Sequence, residues 1–442
     1  MKENIDKALS HPKRKIKLAV TDMDGILRGK YIHHDKFTSA IEGGFGFCSV
    51  IFGWDSSDVC YDNVKHTGWH TGYPDDLAQI DLKTFREIPW ENNLPFFLAD
   101  FANHVCPRSL LKSVIERADA AGMKSITAQE FEWFNFQETP ENLHTKNYVA
   151  PKPLSPGMFG YSLLRAARNR EFFNDLFDLL NQFSIPIEGL HTETGPGVYE
   201  AAILYSDILE AADRAVLFKH AVKEIGMRHG IMPSFMAKWN EKLPGCGGHI
   251  HQSLWRNGKN IFHDTHDTHG MSSDMKKYLA GQLYCLPHIL PMYAPNINSY
   301  KRLVEGAWAP TTLTWGKDNR TTAIRTIIGS EKSTRIEFRV PGSDVNPYLA
   351  MAACLASGLY GIENNLSLDT PMTVGNGYRH FDNGVLPRTL FEATQAMEKS
   401  AVAAELFGEK FVNHFTQTRY WEWNQSLKSV TDWEIKRYFE II

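Results

Sequence analysis

The chain has 442 residues, 43% of them hydrophobic and 22% charged, enough apolar material for two packed cores, and this excludes the disordered, collagenous and mini-protein classes. Lys and Arg number 47 against 51 Asp and Glu, and the formal net charge of −4 offers no field for nucleic acid or an anionic membrane. The partners to expect are small molecules and other copies of the chain.

Six cysteines (Cys48, Cys60, Cys106, Cys246, Cys285, Cys354) stand singly, without C-x-x-C pairs, and fit a reducing, cytoplasmic location. Residues 1–14 are polar and lack the apolar stretch of a secretory signal, so a short tail is expected there. Lys15 to Ile32 reads as strand, turn, strand, with Asp24-Gly25 at the turn. Short strands and loops follow to about Asp100. A boundary near residue 105 then divides the chain into the tail (1–14), an N-terminal domain (15–105) and a larger domain (106–442).

Ser109 opens an amphipathic helix with Leu110, Leu111, Val114, Ile115 and Ala118 on one face, stopped by Gly122. A second helix is expected from Ser206 to about Met227, where Ile208, Ala212, Ala215, Phe218, Val222 and Ile225 recur at helical spacing. The stretch FHDTHDTHG at 262–270 is rich in Asp, Thr and Gly and reads as a solvated loop, not a metal site. Val345 to Ile362 is uncharged and just long enough to cross a membrane. It carries Asn346, Pro347, Ser357, Gly358 and Gly361 and is Ala-rich, which marks a packed core helix.

The chemistry lies in a pattern found three times in strand-like segments: Glu130-Phe131-Glu132, His249-Ile250-His251 and Arg335-Ile336-Glu337-Phe338-Arg339. Residues two apart on a strand share a face, so each segment turns its polar groups one way and an apolar group the other. Neighbouring carboxylates on a half-buried sheet repel one another unless something pairs with them, and a divalent cation is the simplest remedy. Glu193 and Glu200 flank Gly195-Pro196-Gly197, which bends the chain and can bring both to one place. Oxygen-rich ligands with an imidazole suit Mg²⁺ or Mn²⁺ better than Zn²⁺, and Arg302, Arg320, Arg325, Arg335 and Arg339 suit anions. The inventory points to phosphoryl transfer from a nucleotide.

The blocks Gln129-Glu130-Phe131-Glu132, His191-Thr192-Glu193 through Glu200, Gly245 through His249, His251 and Leu254, Asn298 through Arg302 and Val304, Asp318-Asn319-Arg320 with Arg325, and Arg335 through Arg339 resemble the glutamine synthetase family. The resemblance runs from Lys17 to Glu440. It implies an α+β fold with an N-terminal β-grasp domain and a C-terminal catalytic domain built on an antiparallel half-barrel sheet with helices. It also implies a double-ring homo-oligomer, a dodecamer, with active sites between subunits. Glu132, Glu193 and Glu200 match the family's first metal site, and Glu130, His249 and Glu337 its second, which implies two or more Mg²⁺ or Mn²⁺ per site. His251, Ser253, Arg325, Lys332 and Arg335 match nucleotide contacts. Arg302 matches the clamp on the α-carboxylate of L-glutamate, Gly245 a backbone contact to it, and Arg320 and Arg339 the groups around the γ-carboxylate and transferred phosphate.

The implied reaction is ATP-dependent phosphorylation of glutamate's γ-carboxylate, then displacement of phosphate by a nitrogen nucleophile. Ammonia-using members carry a glutamate six residues after the clamp arginine. Here that position is Trp308, an apolar wall with a cation–π face. The ammonium-binding run of the N-terminal domain is matched loosely by Trp54 to Asp58, with Asp55 as the candidate proton acceptor, and Pro244 departs from the Asn that precedes Gly245 in the family. No adenylylated tyrosine loop is expected around 377–386. Trp308, with Trp54, points to a γ-glutamylamide synthetase that takes an alkyl, aromatic or polyamine nucleophile, with glutamine synthesis from ammonia as the alternative. Two remoter readings remain at this point: a non-catalytic relative, and a haloacid-dehalogenase-like phosphatase with Asp22 as nucleophile and Asp24 as general acid, although Ile26 stands where that family has Thr.

Overall fold

A computed structural model describes residues 1–442. Where a polar tail is expected, Lys2–Ser10 forms a helix. Ile5, Ala8 and Leu9 make one apolar turn against the core, and Asn4 Nδ2 donates to the Leu82 carbonyl at 2.9 Å. A single turn of helical spacing in so charged a stretch is easily read as tail.

The hairpin forms as expected. Lys15–Thr21 pairs antiparallel with Leu27–His33, Thr21 facing Leu27, and Gly25 takes φ +80° in the connecting loop. Asp22 anchors that loop. Its carboxylate accepts from the Asp24 and Ile26 amides at 3.1 and 2.9 Å and from Arg28 Nε at 2.8 Å, while Asp24 pairs with Arg419 at 2.6 Å. Both acids of the phosphatase reading are thus occupied in local structure. The first sheet has six strands and is mixed, because Lys15–Thr21 runs parallel to Leu94–Phe101. With the helix His34–Gly43 packed on it, this is the β-grasp unit.

The second sheet has ten strands. Its main path runs Trp315–Lys317, Ile324–Ile327, Arg335–Phe338, Ile250–Arg256, Lys124–Phe136, Val198–Ile203, Ile187–Thr192. All these pairings are antiparallel except the first, which is parallel, and the sheet curls into a half barrel. Phe131, Trp133, Ile250 and Phe338 project from its apolar face and are buried, with Phe131 stacked 5.7 Å from Phe218 of the helix Ile208–Arg228. The expected helix at Ser109 begins earlier, as Pro107–Ala120, because Pro107 is pre-set for the first turn. Gly122 follows it at φ +68°.

The Ala-rich segment is the core helix Pro347–Glu363. Glycines let it approach the helix Ser273–Ile289 closely: a Cβ on its Gly361 would lie 2.0 Å from the Lys277 carbonyl oxygen, and one on Gly281 of the partner helix 2.2 Å from that of Ser357. No helix is long and apolar enough to cross a membrane.

Arg108 joins the two units. It donates to both carboxylate oxygens of Asp213 at 2.9 Å, to Asp100 at 2.5 Å and to Asp81 at 2.8 Å, while Tyr348 Oη donates to Asp213 at 2.6 Å. Arg108 and Asp213 are both buried. Arg108→Met removes the only cation facing buried Asp213, and the fold should lose about 3–5 kcal/mol, read as a lowered midpoint in urea denaturation.

Candidate functional site

Strand register assembles the charged face. His251 lies opposite Glu337, Arg325 opposite Glu337 from the other side, Glu132 opposite Glu200, and His191 opposite Glu200. The ladder between the Glu130 strand and the His249 strand continues through Glu130 N to the His249 carbonyl and Glu132 N to the Gly247 carbonyl, each 2.9 Å. Side chains from six adjacent strands therefore converge on one side of the sheet, and the expected ligands divide into two groups.

In the first group, His249 Nδ1 lies 3.4 Å from Glu337 and 3.6 Å from Glu130, and His251 Nε2 lies 2.9 Å from Glu130. Both imidazoles thus share these carboxylates, and ligand atoms of Glu130, His251 and Glu337 all lie within 4.8 Å of one another. Arg339 at 2.5 Å and Arg325 at 2.8 Å bracket Glu337. Burial opposes ionisation there, but Arg339, His251 and His249 outweigh it and hold the Glu337 carboxyl down at about 2. Burial likewise works against the Glu130 carboxylate, but His251 and His249 keep it well below the usual range. Burial and Arg339 lower His249, whereas Glu130 and Glu337 raise His251 against its burial.

The second group has no guanidinium. His191 lies 3.9 Å from Glu193 and 3.7 Å from Glu200. Glu132 stands apart from this pair in its bonding, since its carboxylate accepts the Gly247 amide at 2.7 Å. Burial, then the charges of Glu132, Glu130, Glu193 and Glu337, push Glu200 up to about 9. A carboxyl forced toward its neutral form by other carboxylates is a place where positive charge is wanted. The donors are oxygens with imidazole and no sulfur, which fits a hard divalent cation such as Mg²⁺ or Mn²⁺.

A cleft of about 890 Å³ adjoins the first group and is lined by Glu130, His251, Ser253, Lys332 and Arg335, which brings four of the five expected nucleotide-contacting residues to one cavity. Arg325, the fifth, faces Glu337 and Asp318 instead. Arg335 Nε donates to His251 Nδ1 at 3.1 Å. Arg302 is buried and donates to the carbonyls of Val340 at 2.9 Å and Arg339 at 3.3 Å. A Cβ on Gly245 would lie 2.8 Å from Arg302 Cγ, so a side chain there would displace the arginine.

Trp308 and Arg320 line a separate shallow depression. Trp308 is 64% exposed at φ +57°, and its carbonyl accepts from Arg339 Nη2 at 3.3 Å. Asp55 is not brought to the cluster within the chain. Its carboxylate accepts the Ser57 and Val59 amides at 2.8 and 3.0 Å and Trp421 Nε1 at 2.9 Å.

Two site residues escape the sequence reading. His191 had a signal, since His191-Thr192-Glu193 repeats the alternation of the other charged strands. Tyr161 had none. It packs on the His191 ring, centroids 4.4 Å apart and 23° from parallel, a contact between segments thirty residues distant in the chain.

Without metal, Glu200 binds a proton in the folded state between its unfolded value, near 4.5, and about 9. Over that window the folded state holds more protons than the unfolded, so this group's contribution to stability falls as pH rises. The difference in melting temperature between wild type and Glu200→Gln should therefore grow from pH 5 to pH 9. Saturating Mg²⁺ or Mn²⁺ should remove that pH dependence in wild type and raise its melting temperature more than the variant's.

The glutamine synthetase catalytic domain family matches residues 104–438. "Type-1 glutamine synthetase 2" of Dictyostelium discoideum is 55% identical over 438 residues, covering 97% of this chain and 84% of that one. "Glutamate--isopropylamine ligase" of a Pseudomonas species is 35% identical over 437 residues, covering 97% and 95%. "Gamma-glutamylethanolamide synthetase GlnA4" of Streptomyces coelicolor is 36% identical over 431 residues, covering 96% and 92%. The solved structure described as "GmaS/ADP complex-Conformation 1" superposes with a TM-score of 0.85 at 26% identity, covering 99% of this chain and all of that one. With a carboxylate and imidazole cluster carried by strands of the matched region and whole-length likeness in sequence and fold, the chain belongs to the glutamine synthetase family of ATP-dependent glutamate ligases.

Proposed function

We propose that the chain is a γ-glutamylamide synthetase, which activates the γ-carboxylate of L-glutamate as γ-glutamyl phosphate at the expense of ATP and joins it to an organic amine. Trp308 carries the reading. It stands where ammonia-using members have a flap glutamate, next to Arg339, and no carboxylate replaces it: Glu305, the nearest acid in sequence, pairs with Arg379 at 3.5 Å. An indole in place of a carboxylate removes the charge that selects a small cation and offers an apolar surface to an alkyl, aromatic or polyamine nucleophile.

In this reading Arg302 holds the α-carboxylate of glutamate with the backbone at Gly245. Arg320 and Arg339 bear on the γ-carboxylate and neutralise the phosphoryl group as it leaves ATP. His251, Ser253, Arg325, Lys332 and Arg335 contact the nucleotide. Glu132, Glu193 and Glu200, with Glu130, His249 and Glu337, would hold two or more Mg²⁺ or Mn²⁺, whose chemistry is to offset charge on the transferred phosphoryl group. The amine then attacks the acyl phosphate carbon, which a free carboxylate would not permit. In this reading its proton goes to Asp55 of a neighbouring copy in a double-ring homo-oligomer, the Ser57, Val59 and Trp421 bonds holding that carboxylate in place.

Synthesis of glutamine from ammonia is the second reading, favoured by the 55% identity to a relative named as a type-1 glutamine synthetase. Phosphate release from ATP with L-glutamate and Mg²⁺ or Mn²⁺, comparing ammonium with aliphatic, aromatic and polyamine nucleophiles at matched free-base concentrations, separates the two. Turnover with an amine should exceed that with ammonium, and preference for ammonium would establish the second reading. Trp308→Glu should raise kcat/KM for ammonium relative to the amine by about tenfold, equivalent to about 1.4 kcal/mol of differential barrier. An unchanged ratio removes Trp308 from the nucleophile pocket.

A further inference from the structure

The loop that carries Asp55 is held more firmly than its own closure requires. Residues 54–60 turn tightly between Trp54 and Cys60, which form an antiparallel bridge, and the turn is folded around the Asp55 side chain. Asp55 Oδ1 accepts both loop amides, Ser57 at 2.8 Å and Val59 at 3.0 Å, while Oδ2 accepts Trp421 Nε1 alone, at 2.9 Å. An ionised carboxylate offers about two acceptor sites on each oxygen. Oδ1 is therefore filled, and Oδ2 keeps one site open. Asp55 is only 9% exposed, so these bonds set its orientation.

Further contacts fix the loop as a body. Arg28, on the strand Leu27–His33, lays its guanidinium 4.9 Å from the centroid of the Trp54 ring and pairs with Asp58 at 2.8 Å, and so grips the loop on both sides of Asp55. Its Nε is held in turn by Asp22 at 2.8 Å. Trp421 comes from the helix Glu409–Leu427, and its indole also meets Tyr61 edge to face at 5.6 Å. Two residues earlier on that helix, Arg419 pairs with Asp24 of the hairpin loop. Asn346 Nδ2 pins the same hairpin loop through the Asp22 and Met23 carbonyls at 3.2 and 3.1 Å. Loops that merely connect elements are ordinarily the mobile parts of a surface. This one is clamped by side chains from two other elements, each anchored in its turn.

We infer that Trp421 and Arg28 are positioning residues of the amine-transfer step, which hold the loop so that Asp55 Oδ2 is the atom that takes the proton. The inference rests on the reading of Asp55 as the proton acceptor and adds which oxygen acts and what aims it. In that step the nitrogen lone pair forms the bond to the γ-carbon, and the bond from that carbon to the phosphate oxygen breaks with its electron pair leaving on phosphate. The proton shed by nitrogen ends on Oδ2. A displacement of about 1 Å in such a group costs on the order of 10²-fold in rate, while the Arg302 clamp and the cation cluster lie on other elements. The signature is a lowered kcat with KM for ATP and L-glutamate unchanged.

The test is a double-mutant cycle on the full-length protein, with ATP, L-glutamate, Mg²⁺ and whichever of isopropylamine and ammonium turns over faster, at saturation. Trp421→Phe deletes the N–H and keeps a ring against Tyr61. It should lower kcat about tenfold with both KM values unchanged, and Asp55→Asn should lower kcat on the order of 10²-fold or more. The two together should be no slower than Asp55→Asn alone. Arg28→Lys, which keeps a charge beside Asp22 and loses the planar stack on Trp54, should show the same split and the same lack of additivity, and it carries the test should Trp421→Phe fail to fold. A loss from either variant that persists in the Asp55→Asn background marks a general structural effect and overturns the inference. So does a rise in KM for ATP or L-glutamate that accounts for the loss. Undiminished kcat in both positioning variants, with Asp55→Asn impaired, sinks the inference alone, whereas wild-type turnover in Asp55→Asn removes the proton-acceptor reading and the inference with it.

Discussion

Five glutamates crowded onto one face of a sheet are the constraint around which this protein is built. Carboxylates that close are tolerated only with positive charge among them, and the fold supplies it unevenly. Glu337 is bracketed by Arg325 and Arg339 and held down at about 2, whereas Glu200, facing Glu132 across the ladder with no arginine paired to it, is driven to about 9. One half of the cluster is neutralised by the chain itself, and the other half is left for a cation. That imbalance suits the surface to a cation better than a closed set of salt bridges would.

The same strands must also make a core, and alternation lets them do both. Phe131, Trp133, Ile250, Ile336 and Phe338 bury the opposite face completely or nearly so, against Phe218 and Phe235. A slip of one residue in any of these strands would exchange the two faces. The apolar packing that stabilises the sheet therefore also specifies which carboxylates meet. Glycine tightens the arrangement where side chains have no room, as at Gly245 beside Arg302.

The N-terminal unit is held to this sheet by charge as well as by apolar contact. Arg108 gathers Asp81, Asp100 and Asp213, and Arg419, buried on the long C-terminal helix, reaches Asp24 in the hairpin loop. Trp421 on the same helix holds Asp55. Asp55 is thus fixed by the Ser57 and Val59 amides and by the Trp421 indole, contacts that have nothing to do with the carboxylate cluster.

Much of this was legible in order along the chain. The hairpin around Gly25, the helix stopped before Gly122 and the alternating Glu, His and Arg of the three charged strands are local signals, because turn geometry and strand periodicity depend on neighbours in sequence. The helix at Lys2–Ser10 was not, since one apolar turn becomes a helix only when a core exists to receive it. The sequence by itself determined which side chains share a strand face, and therefore the kind of ligand that face would hold. Only the tertiary structure decided that Glu132 meets Glu200, that Tyr161 lies on His191 and that Asp55 turns to Trp421. Those contacts are set by strand register and by packing between elements far apart in the chain, and spacing along one segment carries no record of them.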